Sequence, residues 1–175
     1  MSSSTTTLKL TVNERIILYL LEYWKYYDET IYPVSITQRG IAHNVSILPE
    51  HIPRSLKQLK AEQLIEEKKG RVHNTPRKIF VYFLTEKGKK LAESLKEKYI
   101  TINVPVILED ETETIMPLKE VIRMTKYPGF YPYIKQLLEK NKINLKELSF
   151  RKPEYEKHVE LWFNAPKIEN FINRQ

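Results

Sequence analysis

Cysteine is absent from all 175 residues of the chain. That excludes disulfides, thiolate nucleophiles and every cysteine-based zinc site, and it fits a cytoplasmic protein. Glycine is scarce, at Gly40, Gly70, Gly88 and Gly129 only. No two of these stand at a phosphate-loop or dinucleotide spacing, which excludes those nucleotide folds. No apolar run reaches the roughly 18 residues that a membrane-spanning helix needs. The opening MSSSTTT is polar and lacks the apolar stretch of a secretory signal. No serine stands in a nucleophile-elbow context. The histidines, His43, His51, His73 and His158, show no ligand spacing. Neither a metal nor another cofactor is expected, and no catalysis.

What the chain does have is positive charge gathered in one place. Lys plus Arg number 29 against 22 Asp plus Glu, a net charge of +7. Residues 51–90 alone hold eleven cations and four anions, so the whole excess falls in that window. A basic field on an otherwise neutral body points to a polyanionic partner. Hydrophobic residues make up 41% and charged residues 29%, enough apolar content for a packed core. The length suits one ordinary domain or two small ones.

Residues 1–10 read as a flexible tail with an apolar end, Leu8 and Leu10. Thr11 stands three residues before Glu14, the spacing of a capping box. Ile16, Ile17, Leu20, Leu21 and Trp24 follow at steps of three and four, which predicts an amphipathic helix over 12–27. Its aromatic end, Tyr23 to Tyr27, suits core or dimer contact. Thr37 caps a short helix through Asn44, with Ile41 and Ala42 inward. After a turn, a helix begins between Pro49 and Ile52, with Ile52, Leu56, Leu59 and Gln63 on one face. Leu64 and Ile65 start an extended segment closed by Gly70. Arg71 to Lys78 forms a polar loop with Asn74-Thr75-Pro76 turn chemistry. Ile79 to Leu84 is dense in β-branched and aromatic residues and reads as the return strand. Thr85 caps a further helix whose period is set by Leu91, Ala92, Leu95 and Tyr99.

The order helix, helix, turn, helix, strand, basic loop, strand is that of a winged helix-turn-helix. The stretch from Thr37 to Leu95 resembles the DNA-binding winged-helix domains of archaeal and bacterial transcriptional regulators. IPRSLKQLKAEQLIEEKKG, from Ile52 to Gly70, is similar to their recognition helix and its link into the wing. KIFVYFLTEKGKKLAESL, from Lys78 to Leu95, resembles the second wing strand and the next helix, with its Leu-Thr-x-x-Gly turn. The resemblance implies an α+β winged helix-turn-helix fold and binding of double-stranded DNA.

The chemistry of the residues supports this separately. A helix in the major groove must present hydrogen-bonding side chains near its N-terminus. Here these are Glu50, His51, Arg54, Ser55 and Gln58. Arg54 can fork onto guanine and Gln58 onto adenine. Lys57 and Lys60 lie further along, placed for phosphates. The wing tip offers Arg71, His73, Asn74, Arg77 and Lys78 to the backbone or minor groove. Glu50 runs against the pattern, because a carboxylate repels phosphates unless it accepts from cytosine.

Three parts of the chain are expected: the tail over 1–10, the winged helix over 11–100, and a small α+β accessory domain over 101–175. In the last part TINVPVIL, 101–108, reads as a strand, with Pro105 placing it at a sheet edge. Residues 109–113 read as a solvated acidic turn, and 114–116 as the return strand. Short helices follow over 118–124 and 133–140, around YPGFYPY. Tyr127, Tyr131 and Tyr133 read as packing of an extended linker. A last helix is expected over 154–163. PKIENFINRQ, 166–175, is similar to the lead into the nucleotide-binding domain of some archaeal winged-helix ATPases, with Asn173 and Gln175 in place of the Gly and Glu there. An ordinary polar tail is the simpler reading. The function expected is sequence-specific DNA binding and transcription regulation by a homodimer, without a membrane. The alternative is a non-catalytic winged-helix adaptor or sensor that binds protein or a ligand.

Overall fold

The computed structural model describes residues 7–125 and 129–148. It begins with α1, Val12–Leu20, whose capping box is complete. The Glu14 amide donates to Thr11 Oγ1 at 3.1 Å, and the Thr11 amide donates to Glu14 Oε1 at 3.0 Å. Two helix-start donors are thereby satisfied reciprocally. Ile16, Ile17, Leu18 and Leu20 are fully buried, at about 1.5–3 kcal/mol of burial each. The chain then tightens into a 3-10 segment, Leu21–Tyr26, instead of continuing as α-helix to Tyr27. Here consecutive tyrosine and tryptophan rings follow the apolar stripe. Tyr23 stacks at a tilt on Tyr19, and Tyr27 meets Phe83 edge-on.

A short strand β1, Ile31–Tyr32, leads through a 3-10 turn at Val34–Ile36 to α2, Gln38–Val45. Thr37 caps α2 by accepting from the Gly40 amide at 3.1 Å. Ser46 closes α2 in the left-handed region, at φ 57° and ψ 50°. The next helix, α3, spans Ile52–Ala61, with Pro53 in its first turn where a missing N–H does little harm. Ile52, Leu56 and Leu59 are its buried stripe, and α1 and α2 lie against it. Gln63 does not extend that stripe: it is exposed, at φ 59°, beyond the helix end.

The hairpin is β2, Ile65–Val72, and β3, Ile79–Leu84, antiparallel with Lys68 opposite Val81. Gly70 does not close β2. The strand runs on to Val72, because β1 pairs with it in parallel, Ile31 beside Arg71 and Tyr32 beside Val72. Arg71 is therefore a strand residue, and the loop shrinks to residues 73–78. Gly70 has a different role. A Cβ there would stand 2.5 Å from the Tyr32 ring, which lies over the strand. Thr85 then caps α4, Glu86–Ile100, on which Ala92 and Tyr99 are buried. Leu91 is 38% exposed and is not a core position. Leu8, by contrast, is buried, so the apolar end of the N-terminal stretch is anchored.

A second sheet follows. Strand β4, Asn103–Ile107, pairs antiparallel with β5, Glu113–Pro117, and parallel with β6, Ile143–Asn144. Pro105 thus sits in the middle strand and not at an edge. Strand β6 joins only at Val106 and Ile107, beyond Pro105, so the missing donor is tolerated. The acidic turn is exposed and held by Asp110, which accepts from the Thr112 amide and hydroxyl. Helices α5, Leu118–Thr125, and α6, Tyr131–Lys140, cover the sheet. Tyr131 and Tyr133 are buried in the first turn of α6 and do not form an extended linker. Tyr127, the helix expected over 154–163 and the segment 166–175 lie outside the described residues.

A clasp at Glu22 is among the contacts that pack this part on the first. Glu22 turns its carboxylate onto the start of α6 and accepts from the Phe130 and Tyr131 amides. An anion at a helix N-terminus meets unpaired donors and the positive dipole end. Beside it Tyr131 meets Tyr19 edge-on, with centroids 5.4 Å apart.

Candidate nucleic-acid interface

Two elements build the face that the sequence singles out, α3 and the hairpin, and the start of α2 adjoins the hairpin. On α3 the buried stripe fixes the rotation of the helix. Arg54, Lys57, Gln58 and Lys60 consequently project outward and are exposed, and Ser55 is half-buried. His51 is the residue before the helix and Glu50 precedes it. Both are exposed, and His51 Nε2 lies 3.9 Å from Glu50 Oε1. Glu50 is thus beside an imidazole, which offsets its charge when that imidazole is protonated.

The hairpin presents two different faces, as a strand pair must. One is covered: Lys68 lies over the rings of Tyr27 and Tyr32, 4.5 Å and 5.5 Å from their centroids. The other carries Glu67, Lys69 and Arg71 at alternate positions, with Tyr82 opposite Glu67 and Phe80 opposite Lys69. This second face meets α3. Lys60 Nζ reaches Glu67 Oε2 at 3.1 Å, and the Tyr82 hydroxyl donates to the same oxygen at 2.9 Å. Burial, then the hydrogen bond to Glu67 and its charge, raise the Tyr82 pKa well above the usual tyrosine value, so the phenol stays a donor.

This contact redefines Lys60. It ties helix to hairpin and is less available to a phosphate than its neighbours. Among the described residues, Arg54, Lys57, Arg71, Arg77 and Lys78 have no carboxylate partner, and all five are exposed. His73 is half-buried at the tip, where its amide donates to Tyr32 O at 3.1 Å. Asn74 takes a left-handed turn at φ 61°, and Thr75 Oγ1 donates to Val72 O at 2.7 Å, holding the tip closed.

Sequence reasoning passed over Gln38, Arg39 and Lys69. All are exposed, the first two in the opening turn of α2 and the third on the helix-facing side of β2. The Thr37 cap placed that opening turn, and strand alternation from Glu67 would have found Lys69. Among the described residues no group of three His, Asp or Glu side chains is placed to hold a metal. No described helix is long and apolar enough to cross a membrane.

Helix, turn, helix and a two-stranded wing paired beside its tip with a third strand define a winged helix-turn-helix protein, with a further α+β unit. No protein-family model matches the chain, and no curated protein does either. Among solved structures the chain is similar to Lactococcus lactis ZitR, a zinc-responsive MarR family member, in complex with DNA. The identity is 19% over 89% of this chain and 82% of that one, with a TM-score of 0.36. It is also similar to the zinc-dependent MarR family transcriptional regulator AdcR in its Zn(II)-bound state. There the identity is 18% over 80% of this chain and 75% of that one, with a TM-score of 0.36. The fold assignment rests on the element order and strand register.

Proposed function

We propose that this protein binds double-stranded DNA sequence-specifically and regulates transcription, without catalysis. The observation that carries the reading is the exposed outer face of α3, joined by Lys60 and Glu67 to a hairpin whose cations lack carboxylate partners. An α-helix fits the major groove, where Arg54 reads guanine and Gln58 reads adenine. Ser55, Glu50 and His51 lie at the same end of the helix. Lys57, Arg71, Arg77 and Lys78 hold phosphates, with His73 and Asn74 at the wing tip against the flanking backbone. The winged helix occupies 11–100, and residues 101–175 form the accessory unit. One helix reads few base pairs, so a homodimer on a two-fold site is the working form, in the cytoplasm.

Selection of bound duplexes from a random pool, with the full chain, tests this. A sequence motif is expected, and a palindromic one reports the dimer. On the selected site Arg54→Ala costs about tenfold or more and relaxes the preference at one base pair, while Lys78→Ala weakens all sequences alike. Equal behaviour of the two variants contradicts the assigned roles. Recovery of no motif and a flat response to salt favours the adaptor reading.

A further inference from the structure

Between the start of α2 and the wing lies an open groove of about 560 Å³. Its floor is apolar, from Val34, Ile79, Phe80 and the Tyr82 ring, and its rim is polar, from Gln38, Arg39 and Asn74. Phe80 is 48% exposed, the one large apolar side chain that the hairpin turns to solvent among the described residues. Its partner across the strands is Lys69, whose Nζ stands 5.8 Å from the ring centroid. A bare aromatic ring on a half-buried strand loses burial energy, and a charged or polar residue would serve a solvated wing better.

We infer that this groove takes an unpaired nucleobase, stacked on Phe80, from a strand that leaves the duplex beside the wing. This rests on the DNA-binding reading above and adds a preference for distorted or tailed duplexes. Each feature matches the chemistry. Every base has a π-face for the ring, and stacking tolerates any sequence. Gln38 and Asn74 carry amides suited to the polar edge of a base. Arg39 and Lys69 stand where the connecting phosphates must pass, which favours a polyanionic strand over a neutral small molecule. Neighbouring Thr37 and Tyr82 have their hydroxyls engaged, with Val34 O and Glu67 Oε2 respectively, so they shape the floor without competing for the base.

The test uses the full chain and two fluorescein-labelled probes, a blunt duplex and the same duplex with an oligothymidine tail, read by anisotropy. The tailed probe is expected to bind about tenfold tighter, the scale of one stacked base. Phe80→Ala removes that advantage and leaves blunt-duplex affinity unchanged, whereas Phe80→Tyr keeps the advantage. A 2-aminopurine in the first tail position loses fluorescence on binding to the wild type and not to Phe80→Ala. Equal affinity of the wild type for both probes overturns the inference, as does an equal loss on both probes in Phe80→Ala. Binding of neither probe overturns the DNA-binding reading itself, so the two failures are distinguishable.

Discussion

Salt dependence of duplex binding follows from which cations the fold leaves unpaired. On the proposed reading Arg54 takes a base, and with Lys60 engaged by Glu67 four exposed cations per protomer are left for phosphates: Lys57, Arg71, Arg77 and Lys78. Each neutralised phosphate contributes about −0.9 to the slope of log affinity against log salt, so one protomer gives about −3.6. A fourfold rise in salt then weakens binding about 150-fold. Two protomers on one site double the slope to about −7. Lys78→Ala should flatten the slope by about 0.9 per protomer. Lys60→Gln should flatten it by less, because that charge already has a partner. Lys119→Ala, an exposed cation on α5 in the accessory unit, is the control and should leave it unaltered. Fluorescence anisotropy titrations at several salt concentrations read all four slopes. A Lys119→Ala effect as large as that of Lys78→Ala refutes the reasoning, since the charge would then act as a diffuse field and not as a set of seated contacts.

Two predictions concern the scaffold. Gly88 sits in the first turn of α4, where a Cβ would stand 1.9 Å from Leu64 O and would have to move backbone. Gly88→Ala should therefore destabilise by about 3 kcal/mol or more, measured by denaturant unfolding; a loss under about 1 kcal/mol would show the contact to be slack. Glu22 has its pKa raised by burial, partly offset by the Tyr131 and Phe130 amides and by Lys96 and Lys25. A raised carboxyl is penalised when charged, so its effect is absent in acid and grows as pH climbs through its folded pKa. The stability difference between wild type and Glu22→Gln should shift in favour of the variant as pH rises; a difference independent of pH contradicts the burial argument.

Much of the winged helix was legible because its signals are local. Thr11, Thr37 and Thr85 each marked a helix start through a hydroxyl cap, and each cap is made. The stripe of Ile52, Leu56 and Leu59 fixed which side of α3 faces outward. What escaped was set by distant partners. Nothing near Gly70 announces that Ile31 and Tyr32 will pair with Arg71 and Val72 and lengthen the strand. Pro105 argued for an edge because a two-residue strand some forty residues later is invisible to periodicity. Lys60 looked like any solvated cation until the register placed Glu67 beside it. Cap chemistry and helical period are read over a few residues, whereas parallel pairing and cross-element ion pairs need the folded chain.

The third strand beside the tip of the wing has a mechanical consequence. With β1 bonded alongside Arg71 and Val72, next to the tip, and Lys60 holding Glu67 nearer the open end, the hairpin is braced toward both ends of β2. The span from the helix to that tip is thereby held like the jaws of a caliper. A rigid gauge of this kind recognises its target partly by distance, so lengthening the tip should be tolerated far better than loosening the stem.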